Sequence, residues 1–213
     1  ESCSAQWRGQ CFQEEMTLWS SINVTLDPEL REDFLKKKIN IYYCKKCSSS
    51  WEIYKDLLYH DMTNNFMVQF VATKNPDELL DKIVGLENSI LDQKKVLGFN
   101  PREKVKLRVV SNFKSLKEIV KILQSNLSDL AINMLKNALK SQLKETYEDK
   151  LPQVYFSDKK DDEILFALVG DTTEYMQTTH DYYLEILEEH KETIRNSTPD
   201  GKWIYMETVD RLI

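Results

Sequence analysis

At 213 residues with 41% hydrophobic side chains, the chain can bury one large core or two small ones without covalent cross-links. Its net charge of -6, from 29 basic and 35 acidic residues, argues against a general affinity for nucleic-acid phosphates or acidic membranes. The longest apolar runs, such as Ile164-Leu165-Phe166-Ala167-Leu168-Val169, fall far short of the roughly 20 residues that span a bilayer. Residues 1–13 are polar and carry no signal-peptide core, although a mature secreted chain would have lost one; a cytoplasmic protein without a membrane segment is the expectation.

In chain order, apolar Met16, Leu18, Ile22 and Val24 alternate with polar neighbours and predict a strand over 15–24, with an irregularity near Ser20. Asp27-Pro28-Glu29 supplies an N-cap, a proline for the first helical position and early acids, opening a short helix to about Lys37. Residues 39–43 and 51–58 are β-prone and flank a turn over 44–50. Tyr59-His60-Asp61-Met62 reads as a turn and 66–72 as a buried strand that closes a small sheet. Asn75-Pro76-Asp77-Glu78 carries helix-start chemistry and is the expected boundary between a module of residues 1–74 and an α+β domain of residues 75–213.

Beyond it, Val105, Leu107 and Val109 alternate as in a strand. Helices are predicted from Ser115 and over about 129–148, packed as a pair. Tyr155 and the 163–169 run predict strands across the Lys159-Lys160-Asp161-Asp162 turn, followed by a helix over 179–195 and a last strand over 203–206.

The four cysteines all fall within the first 47 positions, which points to one local site. Cys44 and Cys47, two residues apart on a turn, can bring both sulfurs to one Zn²⁺, an ion that takes thiolates tetrahedrally. Cys3 and Cys11 enclose seven residues, so they would reach the ion from a wider loop; a Cys3–Cys11 disulfide or two free thiols are the alternatives. Thiol redox catalysis at Cys44 lacks its usual context, since Ser48-Ser49-Ser50 does not open a helix.

Of the three histidines, His60 adjoins Asp61 and His180 adjoins Asp181, but sequence neighbours do not orient each other's rings. Asp158, Asp161 and Asp162 lie in a Lys-rich turn without the glycine and closing glutamate of a Ca²⁺ loop. Trp51, Tyr54, Tyr42, Tyr43 and Phe66, near Lys36, Lys37, Lys38, Lys45 and Lys46, could form a stacking platform for single-stranded nucleic acid, although strand aromatics more often build a core. Three N-x-Ser/Thr triplets, at Asn23, Asn126 and Asn196, are of a kind that arises by chance.

Taken together, Leu18-Trp19-Ser20-Ser21-Ile22-Asn23-Val24, Asp27-Pro28-Glu29-Leu30, Cys44-x-x-Cys47 and Leu58-Tyr59-His60-Asp61-Met62 resemble the CpXC-domain family. The likeness covers 11–72 and extends to Leu107-Arg108-Val109-Val110 and the helices behind it. It implies a bacterial or archaeal protein with two Cys-Pro-x-Cys pairs and a zinc site, in a family with no established biochemical activity. Here Lys45 stands where the second pair has proline, and the first pair is stretched to Cys3 and Cys11. Cys44 and Cys47 carry over as ligands, Cys11 lies near the first-pair position, and Cys3 is the remaining candidate.

The expected fold is thus α+β: a zinc-ribbon-like antiparallel β module followed by a mixed helix and strand domain. The expected role is a non-enzymatic, zinc-binding interaction module for a protein partner, with metal ligands Cys3, Cys11, Cys44 and Cys47. The alternatives are a hydrolase or transferase built on His60 and Asp61, or single-stranded nucleic-acid binding through the ribbon face.

Overall fold

The computed structural model describes residues 16–44, 48–144, 147 and 151–209. Apolar alternation in β1 (Ser21–Asn23), β4 (Leu57–Asp61), β5 (Phe66–Phe70), β6 (Lys106–Val110) and β10 (Trp203–Tyr205) builds a five-stranded sheet in the order β1-β4-β5-β6-β10. β4 and β5 are antiparallel, whereas β1 runs parallel to β4, and β5, β6 and β10 are mutually parallel neighbours. The sheet therefore takes strands from both sides of residue 75.

The β4–β5 reversal is fixed locally. Asn65 adopts a left-handed φ of 52°, and the Asp61 carboxylate accepts the Asn64 N–H at 3.1 Å. Tyr59, His60 and Asp61, expected in a turn, are thus strand residues, and the turn begins at Met62.

Each face of the sheet is covered by a helix. α1 (Glu29–Leu35) and α3 (Phe113–Gln124) close one face over Ile22, Tyr59, Phe66, Phe70 and Val110. α2 (Pro76–Leu97) covers Met67, Leu107, Val109 and Trp203 on the other. The start of α2 follows from its sequence: the Asn75 side chain accepts the Asp77 N–H at 2.9 Å and Pro76 occupies the first turn. It stops at Gly98, whose φ of 76° closes the helix. At α1 the expected Asp27 cap is absent, since no side chain caps that helix.

A second core lies behind α3. α4 (Asp129–Leu143) packs with the antiparallel sheet β7 (Gln153–Lys160), β8 (Glu163–Val169) and β9 (Thr173–Thr179), and with α5 (His180–Glu189), around Ile132, Leu135, Phe156, Phe166 and Tyr183. The single helix expected over 179–195 breaks at His190 into α5 and α6 (Lys191–Ser197), and β9 was not expected. α7 (Met206–Val209) follows β10. The architecture is α+β with three sheets among the described residues, the third being the hairpin of β2 (Ile41–Tyr43) and β3 (Ser50–Glu52). Of the expected 51–58 strand only its beginning pairs with β2, and its end opens β4. No helix is long and apolar enough to cross a membrane among these residues.

Candidate functional site

The β2–β3 hairpin carries Cys44. Its register pairs Ile41 with Glu52, Tyr42 with Trp51 and Tyr43 with Ser50, and the Tyr42 and Trp51 rings stack with centroids 5.5 Å apart. Cys44 directly follows β2. Its N–H donates to the Ser49 carbonyl at 2.8 Å, and its carbonyl accepts the Ser48 N–H at 2.8 Å, with Ser48 at a φ of 56°. These two bonds join the end of β2 to the residues that lead into β3. Cys44 is 4% exposed.

At the other end of the hairpin, Asn40 acts as a clamp. With a φ of 52° it turns the chain into β2, its side chain accepts the Trp19 N–H and donates to the Trp19 carbonyl, both at 2.8 Å, and its own carbonyl accepts the Ile53 N–H at 2.7 Å. Among the described residues, no side chain of β2 or β3 belongs to a buried core cluster.

Of the four expected ligands, Cys44 alone lies within the described residues; Cys3, Cys11 and Cys47 lie outside them. A thiol is a donor that Zn²⁺ takes, and Cys44 places one directly after β2. Among the described residues there is no cluster of three or more His, Cys, Asp or Glu side chains placed to hold a metal.

His60 and Asp61 are not brought together. As consecutive residues of β4 they project to opposite faces of the sheet. Asp61 is fully buried on the α3 side, where its carboxylate accepts the Asn64 amide at 2.9 Å and the Arg31 guanidinium at 3.2 Å, which makes it a cap for the β4–β5 turn. The His60 Nδ1 lies 3.4 Å from the Asn23 amide. Burial, with a smaller push from the Arg102 charge, holds the His60 pKa below its usual value. His180 stacks on Tyr183 at 5.4 Å, and His190 joins α5 to α6.

The aromatic platform is also dispersed. Phe66 is buried in the core, the Tyr54 hydroxyl donates to the Ser111 carbonyl at 2.9 Å, and Lys36 and Lys38 are paired with Glu32 and Asp33. Tyr42, Tyr43 and Trp51 stay together on the hairpin.

Of three polar clusters among the described residues, two buried and one half-buried, only the first has a sequence signal of its own. Arg108, within the apolar run of β6, is 2% exposed and pairs with Asp129, equally buried, at 2.5 Å. Glu118 joins α3 to α4 and β7 by accepting from Lys136 Nζ at 2.8 Å and from the Phe156 N–H at 2.6 Å. Glu207 accepts the Ser111 N–H at 2.8 Å and the Ser111 hydroxyl at 3.1 Å, and burial raises its pKa. A charge inside an alternating apolar run, as at Arg108, was the one available hint.

In comparisons with known proteins, residues 10–136 match the family described as CpXC protein. No curated protein and no solved structure matches the chain.

Proposed function

Because this chain belongs to the CpXC family, we propose that Cys44 and Cys47, with Cys11 and Cys3, hold a structural Zn²⁺ that staples the β2–β3 hairpin, and that the stapled hairpin serves as a non-enzymatic interaction module for a protein partner. One observation carries the reading. The hairpin has three residues per strand, forms a sheet of its own and contributes no side chain to a core cluster. A two-stranded hairpin of this kind is marginal in water, so it needs a cross-link beyond the Asn40 clamp. Four thiolates fill all positions of a tetrahedral zinc, which leaves none open for substrate and favours a structural over a catalytic role. Hydrolase or transferase chemistry at His60 and Asp61 is not proposed, because the two side chains face opposite ways.

The test is elemental analysis of the full chain produced with zinc supplied, beside Cys44→Ser. The expected result is stoichiometric zinc in the parent and its loss in the variant, with the tryptophan signal of Trp51 altered and the global unfolding transition retained. A metal-free parent whose cysteines all titrate as thiols would sink the proposal.

A further inference from the structure

Between the start of β6, the start of α4 and the loop that leads from α6 to β10 lies a cavity of about 570 Å³, within the range of small-molecule sites. Its charged lining is Lys106, Arg108 and Arg195 against Asp129 and Asp200, an excess of cations in a chain whose net charge is -6. The cations come from separate segments, two from β6 and one from α6, and converge only in the fold.

Their hydrogen-bonding states differ in a useful way. Arg108 is fixed: its Nε and Nη2 donate to Asp129 and its Nη1 to the Leu107 carbonyl, which leaves two guanidinium N–H groups for a ligand. Lys106 and Arg195 have no carboxylate within 4.0 Å among the described residues. Ser128 accepts the Ala131 N–H at 3.3 Å through its hydroxyl oxygen, so the hydroxyl proton is available to donate. The start of α4 adds little by itself, because the Ser128, Leu130 and Ala131 N–H groups are already taken by Tyr183, Asp129 and Ser128.

We infer that this cavity binds a small phosphate-bearing molecule, with Lys106 and Arg195 contacting the phosphate, Arg108 as the pre-oriented donor at its floor and Asp200 accepting from a hydroxyl or amine elsewhere on the ligand. Cationic donors from several directions match a multiply charged oxyanion better than one carboxylate. A guanidinium already locked by Asp129 loses little freedom on binding. The site is separate from the proposed zinc, and neither inference depends on the other.

Calorimetric titration of the full chain with pyrophosphate at low ionic strength tests this, beside Lys106→Gln, Arg195→Gln and a distant control, Lys95→Gln on α2. Saturable binding is expected, weakened about tenfold or more by each pocket substitution, as for a charged hydrogen bond, and unchanged by the control. The two pocket variants should keep the parent's thermal midpoint, since neither cation has an ion-pair partner to lose among the described residues, and the control loses only the exposed Lys95–Asp92 pair. No saturation at millimolar pyrophosphate, equal weakening by the control, or tighter binding of succinate than of pyrophosphate would each overturn the proposal.

Discussion

Replacing Asp129 with Ala isolates the energetics of a buried ion pair. Arg108 and Asp129 are each 2% exposed, and Asp129 receives two of the guanidinium's hydrogen bonds as well as the Leu130 N–H at 3.0 Å. Truncating Asp129 leaves a guanidinium in β6 with one carbonyl partner, that of Leu107. Removing one member of a buried pair costs about 3–5 kcal/mol, because the remaining charge stays desolvated without compensation. For a chain of this size each kcal/mol moves the melting temperature by about 2–4 °C, so the expected drop is roughly 6–20 °C. Urea unfolding followed by circular dichroism, with linear extrapolation, gives the free energy directly. The double variant Arg108→Met with Asp129→Leu strands no charge, and it is expected to lie closer to the parent than Asp129→Ala does. A loss below about 1 kcal/mol for Asp129→Ala, or a double variant less stable than the single one, would refute this account of the pair.

Other positions give equally direct tests. Burial places the folded-state pKa of Glu207 above its ordinary value of 4.5, so the native state binds the extra proton and stability falls as pH rises through that window. Glu207→Gln keeps an acceptor for the Ser111 N–H and should flatten that part of the melting temperature versus pH curve; parallel curves for parent and variant would contradict it. Gly201 has a φ of 74°, and a Cβ there would meet the Glu103 Cα and the Asn100 amide nitrogen at 3.0 Å, so Gly201→Ala should cost more than the roughly 1–2 kcal/mol of left-handed strain, measured by denaturant unfolding. Gly85, inside α2 with nothing within 4 Å of an added Cβ, predicts the opposite: Gly85→Ala should stabilise by up to about 1 kcal/mol, and a loss there would count against the reading of α2.

What the sequence makes legible is what short-range chemistry determines. Asn75 and Pro76 mark the start of α2 through bonds made within a few residues, and the Val105, Leu107, Val109 alternation marks β6 because its α2 face is apolar while Lys106 and Arg108 fall on the other. β9, reading Thr-Glu-Tyr-Met-Gln-Thr-Thr, lies at the edge of its sheet and is mostly exposed, so it has no apolar alternation to show; its strand geometry comes from pairing with β8. Tyr59-His60-Asp61-Met62 reads as a turn in the sequence. The extended form of its first three residues is set by partners on both sides, β1 and β5. The order of the central sheet is a long-range property in the same sense, since β6 and β10 meet across the whole of the second core. For the site, the Cys-x-x-Cys spacing placed Cys44 at the hairpin's turn, whereas the cationic cavity was invisible because Lys106, Arg108 and Arg195 become neighbours only when β6 and α6 converge.

The same distinction decides how the proposed metal would act. The two large clusters, around Tyr59 and Phe66 and around Phe156 and Phe166, close without a residue of β2 or β3. The apolar burial that drives folding therefore does not pass through the cysteine turn. Structural zinc in small modules binds with about 10–16 kcal/mol, comparable to the whole stability of an ordinary domain. Spent on a six-residue ladder tied to the core at Asn40, such an energy orders the hairpin far beyond what its own hydrogen bonds sustain, and adds little to the sheet behind it. An ion in that position would set the shape of the hairpin rather than the survival of the fold, which is what the proposed interaction module requires.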